Sequence, residues 1–180
     1  MHILIAIFTG LAALAGWYLR VKAISTAARD VSKFAKRARN APRKIAFTHR
    51  AGKTGLKSVK DPMEAGAILM VLAAGGHDER PLTDEQKTVF RQEACKIFQI
   101  SNADAEGLLT HAVWMVRDVD LVSGVALRMA HVLKQSNGIG PAELVDMYEM
   151  LCAVSEAEGA PSEDQLRVLD LYKQKVGLTV

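Results

Sequence analysis

Two short acidic stretches carry the residues of this chain best suited to chemistry. Asp78 and Glu79 precede Asp84 and Glu85, and Glu156 and Glu158 precede Glu163 and Asp164. In each stretch carboxylates stand on both sides of a turn, an arrangement that can supply the several oxygen ligands a hard divalent cation such as Ca²⁺ requires. Neither stretch has the spacing of an EF-hand loop, which needs alternating oxygen ligands, a central glycine and a terminal glutamate. An ordinary helix connection accounts for the same residues, because acids in a first helical turn are stabilised by the helix dipole and polar connections face water. Both readings stand at this level.

The two stretches are related to each other. A shift of 79 residues lays Pro141 on Pro62, Glu143 on Glu64, Leu151 on Leu72, Ala153 on Ala74, Glu158 on Glu79, Gln165 on Gln86 and Val168 on Val89 without a gap. The same shift sets Ser162-Glu163-Asp164 on Thr83-Asp84-Glu85, preserving chemistry where identity is lost. The pattern is that of a duplicated unit: helix, acidic connection, helix.

Other chemistry finds little support. His2, His49, His77, His111 and His131 form no HExxH pair and no recognisable nucleophile arrangement, so no catalytic set is assigned and no enzyme is expected. His77, beside the first acidic stretch, is placed to add a ligand or a pH-sensitive contact, whereas His111 and His131 read as packed or surface residues of helices. Cys95 and Cys152 lie on apolar helix faces without CxxC spacing, which favours reduced, buried thiols. Gly52-Lys53-Thr54 is not a phosphate loop, because the required earlier glycine falls at Phe47 and no strand precedes it.

Helices must position these residues. Asp61-Pro62-Met63-Glu64 offers a capping acceptor, a proline where the missing amide costs nothing and a carboxylate near the positive helix end; the helix should reach about Ala74. Thr83-Asp84-Glu85-Gln86 is a capping box, followed by Val89, Phe90, Ala94, Ile97 and Phe98 on one apolar side. Ser101 begins a third helix with Leu108, Leu109, Ala112, Val113 and Val116 at the helical period and Trp114 nearby. A fourth runs from about Leu121 to Lys134, with Val122, Val125, Met129, Val132 and Leu133 expected to face inward, and ends at Asn137-Gly138. Gly140-Pro141 starts a fifth, carrying Leu144, Met147, Tyr148 and Leu151. Ser162-Glu163-Asp164-Gln165 caps a sixth, with Leu166, Leu169, Tyr172 and Val176 expected as its buried stripe. No segment reads as a strand.

The amino terminus differs in kind. Ile3 to Leu19 is a run of 17 uncharged residues ending at Trp17-Tyr18, the aromatic pair expected where a helix leaves hydrocarbon. A signal peptide is the competing reading, with Ala13-Leu14-Ala15 as a cleavage site, but the positive n-region is missing and the positive charge follows the run instead. By the positive-inside tendency, a retained anchor would leave everything after Arg20 in the cytoplasm. Of the net +3, the stretch from Arg20 to Lys60 contributes +12, with 13 Lys and Arg against Asp30, and the rest of the chain contributes −9. Arg20, Lys22, Lys33, Lys36, Arg37 and Arg39 are the candidates for contact with anionic headgroups, each worth about 1 kcal/mol near the surface. Nucleic acid is the rival partner for this basic stretch, disfavoured because no base-reading fold accompanies it and the domain that follows is acidic.

The segment Leu144 to Leu178, with Ala157-Glu158-Gly159, Ser162-Glu163-Asp164 and Val176-Gly177-Leu178, resembles the carboxy-terminal half of the TerB family, named for tellurite resistance. Pro62 to Gln99 resembles it more weakly, with Asp78-Glu79-Arg80 in place of the family's Ala-Asp-Gly turn. The resemblance implies a compact all-helical domain tied to bacterial stress response and metal resistance. Carried over position by position, it makes Glu79 with Asp84 and Glu158 with Glu163 the candidate ligands of a divalent cation such as Ca²⁺, with no other cofactor suggested. An anchor ahead of such a domain is similar in layout to the amino-terminal part of the DjlA membrane co-chaperones, whose J-domain His-Pro-Asp is absent from this sequence.

The expectation is therefore an all-α chain: an anchor over residues 1–20, a basic juxtamembrane helix and linker over 21–60, and a TerB-like bundle with internal pseudo-duplication over 61–180. Its place would be the bacterial inner membrane, crossed once, with an unidentified cytoplasmic protein as partner.

Overall fold

The computed structural model describes residues 55–77 and 80–178. The expected anchor, the basic segment and its lipid-contact residues Arg20, Lys22, Lys33, Lys36, Arg37 and Arg39 lie outside the described residues, as does Glu79. Among the described residues there are six α-helices and no strand, and no helix is long and apolar enough to cross a membrane.

The helices are α1 (Pro62–Ala73), α2 (Asp84–Phe98), α3 (Asn102–Val116), α4 (Val122–Gln135), α5 (Pro141–Ser155) and α6 (Glu163–Val176). Their starts follow from local chemistry. Asp61 accepts from the Met63 amide ahead of Pro62, and Ser101 accepts from the Asp104 amide. Thr83 with Gln86 and Ser162 with Gln165 close reciprocal capping boxes at the heads of α2 and α6. The 79-residue register holds at both pairs of starts: Pro62 with Pro141, and Asp84 with Glu163.

Helix α1 is the axis of the bundle. Every residue from Ala65 to Ala73 is buried, as expected of a helix with no polar stripe below its first turn. Around it the other helices pack in the order α3, α2, α5, α6, α4. Neighbouring helices come close at Gly66, where an added Cβ would stand 3.0 Å from Met147 Sδ and 3.1 Å from Phe98 Cζ. A helix this crowded tolerates no larger side chain there without repacking. Ahead of α1, a 3-10 turn at Leu56–Ser58 is held to α4 by Arg128, which donates to the carbonyls of Leu56 and Lys57.

The predicted core is mostly found in place, with one correction. Leu166, expected in the buried stripe of α6, is 47% exposed, and Val168 takes its place beside Leu169, Tyr172 and Val176. The buried stripe is centred on the opposite side of the helix, so Leu166 falls on the outer face. Val89, Val113, Val122, Val125, Val132 and Tyr148 are half-buried at the margin of the core, and in α4 Ala126 and Ala130 are buried with Met129 and Leu133 instead.

Candidate functional site

The acidic helix starts are brought to one end of the bundle, by their glutamines. Gln86, only 6% exposed, donates from Nε2 to the carbonyl of Ala74 at 2.8 Å, satisfying one of the open carbonyls at the end of α1. Gln165, its counterpart, lies beside Gly75, the residue that ends α1 at a φ of +80°. The heads of α2 and α6 therefore both adjoin the carboxy-terminal end of α1.

The carboxylates themselves do not converge within what is described. Asp84 points to solvent, its side chain 93% exposed, and receives Lys87 Nζ at 3.1 Å. Glu158 is exposed in the connection between α5 and α6, and Glu163 is exposed in the first turn of α6. No group of three or more His, Cys, Asp or Glu side chains placed to hold a metal ion occurs among the described residues. The buried Nδ1 of His77, next to the first acidic stretch, has no hydrogen-bond partner among the described residues.

The outer face of α6 offers a different kind of site. An open groove of about 430 Å³ runs along it, and its described lining comes entirely from that helix: Glu163, Leu166, Arg167, Asp170, Leu171 and Gln174. The residues recur at intervals of three and four, so they form one stripe. Leu166 thus stands exposed among charges, whereas Leu171, at the edge of the stripe, is half-buried and packs against the core.

A second cluster lies at the other end of α1. Glu64 Oε1 meets His111 Nε2 of α3 at 2.8 Å, with both side chains about one-quarter exposed. The His111 ring stacks against Trp114, which is 52% exposed, and Arg117 stands 6.0 Å from the Trp114 ring centre. Sequence reasoning passed over this pair. The available signal was Glu64 itself, the one charge in an apolar helix, because a carboxylate drawn toward a core needs a partner.

Between α5 and α6, Tyr172 is buried and donates to the Leu144 carbonyl at 2.9 Å; burial pushes its hydroxyl well above the usual tyrosine range. Its stacked neighbour Tyr148 is pushed up to about 12, by burial first and then by the Cys152 thiol. Burial also raises the Cys152 thiol above its ordinary value, which disfavours its thiolate form. Cys95 and Cys152 are free thiols, half-buried rather than fully buried as the sequence reading expected.

No protein-family model matches the chain, and no curated protein or solved structure matches it either.

Proposed function

We propose that this chain is a membrane-tethered helical module that acts by binding protein, with the bundle held on the cytoplasmic side of a bacterial inner membrane. Its kind is TerB-like: two copies of a helix, acidic connection, helix unit, serving stress response or metal resistance. The observation that carries this reading is the outer face of α6, where the exposed Leu166, with the half-buried Leu171 at its edge, lines an open groove among polar and charged residues. Apolar side chains concentrated in a groove and rimmed by charge are typical of interaction surfaces. The acidic helix starts, by contrast, are accounted for by their work as caps and by the helix dipole. The basic segment ahead of the bundle supplies electrostatic attraction to anionic lipid.

A photo-cross-linking amino acid in place of Leu166, in the full chain in membranes, tests this reading. Specific protein adducts at Leu166 and none at the exposed Glu149 are expected. Absence of adducts at Leu166, or release of the chain from membranes by salt alone, removes it.

A divalent-cation sensor is the second reading, favoured by the arrival of both acidic helix starts at one end of α1. Its ligands would be Glu79, Asp84, Glu158 and Glu163. Thermal unfolding in chelator and then in excess Ca²⁺, Mg²⁺ or Mn²⁺ separates the two, since a ligand selective for the native state raises the midpoint. A rise that Glu158→Gln abolishes would make the sensor primary; the interaction reading expects an unchanged midpoint.

A further inference from the structure

Each described helix but α4 carries at least one acid. From Asp61 onward the chain has 19 Asp and Glu against 10 Lys and Arg, yet none of those acids falls between Leu121 and Ala142, the stretch that holds α4. Gly124, Arg128, His131 and Gln135 recur along α4 at intervals of three and four and are all exposed, with Lys134 exposed beside them. The other side of the helix, Ala126, Met129, Ala130 and Leu133, is buried in the core. The outer stripe of α4 is therefore a basic band on an acidic bundle.

The helix dipole accounts for only part of this. Lys134 lies in the last turn of α4 and donates to the carbonyl of Lys175, in the last turn of α6, at 3.2 Å, a usual place for a cation. Arg128 and His131 stand in mid-helix, where the dipole asks for none. Among the described residues no acid forms an ion pair with Arg128, His131 or Lys134. Arg128 donates instead to the carbonyls of Leu56 and Lys57, which leaves its positive charge uncancelled. Those bonds set the turn Leu56–Ser58 on α4, add the exposed Lys57 to the band, and fix where the chain enters the bundle. Eleven of the 13 Lys and Arg between Arg20 and Lys60 precede this turn, so the basic segment reaches the bundle at its one basic helix.

We propose that α4 is the face by which the folded bundle lies on an anionic lipid surface, with Lys57, Arg128 and Lys134 supplying charge and His131 a ring N–H for headgroup phosphate. Charge complementarity selects this occupant: the cytoplasmic leaflet is anionic, and its attraction falls off within a Debye length, so the face that gains is the one free of acid. A few cations hold a free protein only weakly, but a tether keeps the bundle at high effective concentration beside the membrane and lets a small band suffice. The exposed Asp118 and Asp120 bound the band ahead of Leu121, which centres the contact on the carboxy-terminal half of α4. The inference rests on the reading of the chain as membrane-tethered and adds which side of the bundle turns to the lipid.

The test places the full chain in vesicles of phosphatidylcholine, alone or with a third phosphatidylglycerol, the bundle outward. An environment-sensitive fluorescent amino acid replaces Gln135 or, as a control on α5, the exposed Glu149. At low ionic strength the Gln135 probe should shift to the blue and lose acrylamide quenching in anionic vesicles only, and salt should reverse both; the Glu149 probe should behave alike in the two. Each cation near the surface is worth about fivefold in the ratio of docked to free bundle, so Lys57→Gln with Lys134→Gln should lower that ratio about 25-fold. Lys87→Gln with Lys96→Gln removes the same charge from α2 and should leave the protection in place. Circular dichroism confirms that each variant keeps its helices. Equal quenching of the Gln135 probe in the two vesicles overturns the proposal, as does equal loss in the two variant pairs. Protection that duplex DNA brings about in neutral vesicles, and anionic lipid does not, makes nucleic acid the partner and overturns it too. A chain that stays in the vesicles with Gln135 unprotected fails docking alone; a chain that salt strips from them removes the tether and this inference with it.

Discussion

The segments α1–α2 and α5–α6 start in the same register and end in different environments. Both first helices open with proline and carry glutamate two residues later. In α5 that glutamate, Glu143, turns back to accept from the Gly140 amide at 2.9 Å; in α1 it is Glu64, which reaches across to His111. Helix α1 stops at Ala73 because Gly75 takes a left-handed turn, whereas the matching positions Val154 and Ser155 continue α5. One helix became the axis of the bundle and the other part of its wall. Shared local signals thus fix where helices begin, while the environment decides what each helix is for.

The largest test of that contrast is truncation on the axis. Leu69→Ala, at a fully buried site in α1, should cost about 2 to 5 kcal/mol in denaturant unfolding, the range for a large cavity that its surroundings cannot fill. Val145→Ala, on the exposed face of α5, should stay within about 0.5 kcal/mol. Comparable losses at the two sites would mean that α1 is not the axis. The aligned pair Gly66 and Val145 sharpens the point from the opposite direction. Gly66→Val should destabilise by about 1 to 3 kcal/mol through overpacking against Met147 and Phe98, although valine is native at the matching position of α5.

Next in size is a pH effect confined to the second segment. Tyr172 is neutral in the fold, and burial holds its pKa above that of the unfolded chain, about 10. Below that value both states keep the proton and nothing changes with pH. Above it the unfolded chain loses a proton that the fold retains, so stability falls with rising pH, by up to about 1.4 kcal/mol per unit for this one group. Tyr172→Phe should lower stability near neutrality, by about 1 kcal/mol for the hydrogen bond to Leu144, and flatten the alkaline decline. Unfolding curves collected from pH 8 to 11 decide it; equal alkaline slopes in the two proteins would contradict the assignment.

How far the sequence revealed this depends on the range of the interaction. Helix starts were legible because caps act within four residues: Asp61, Thr83, Ser101 and Ser162 each marked a start found in the structure. Burial was legible where one face was uniformly apolar, as in α2 and α3. It misled at Leu166, since α6 carries leucines on opposite faces and periodicity alone does not say which face turns inward. Which face of α6 turns outward, and the pair of Glu64 with His111, were not legible, because both depend on the packing of helices distant in sequence. The acidic stretches were visible as composition, yet the positions of their carboxylates are set by tertiary contacts of Gln86 and Gln165 that no spacing encodes.

The smallest expected difference lies between the two capping boxes, and it isolates local from tertiary effects most cleanly. Thr83→Ala and Ser162→Ala each remove a side-chain acceptor for the amide three residues on, a loss of about 1 kcal/mol at either helix. At α6 the matter should end there, since Gln165 is only partly buried and the box is open to water. At α2 the threonine hydroxyl also accepts from the backbone amide of Gln86, fixing the residue whose buried side chain donates to Ala74 at the end of the axis helix. Thr83→Ala should therefore exceed Ser162→Ala by a few tenths to about 1 kcal/mol, the range of one net hydrogen bond. In a Gln86→Ala background that excess should disappear, because the threonine then has no distant bond to support. Equal costs in the wild-type background would mean that the two boxes are caps and nothing more, and that the register they share carries no tertiary difference at this end of α1.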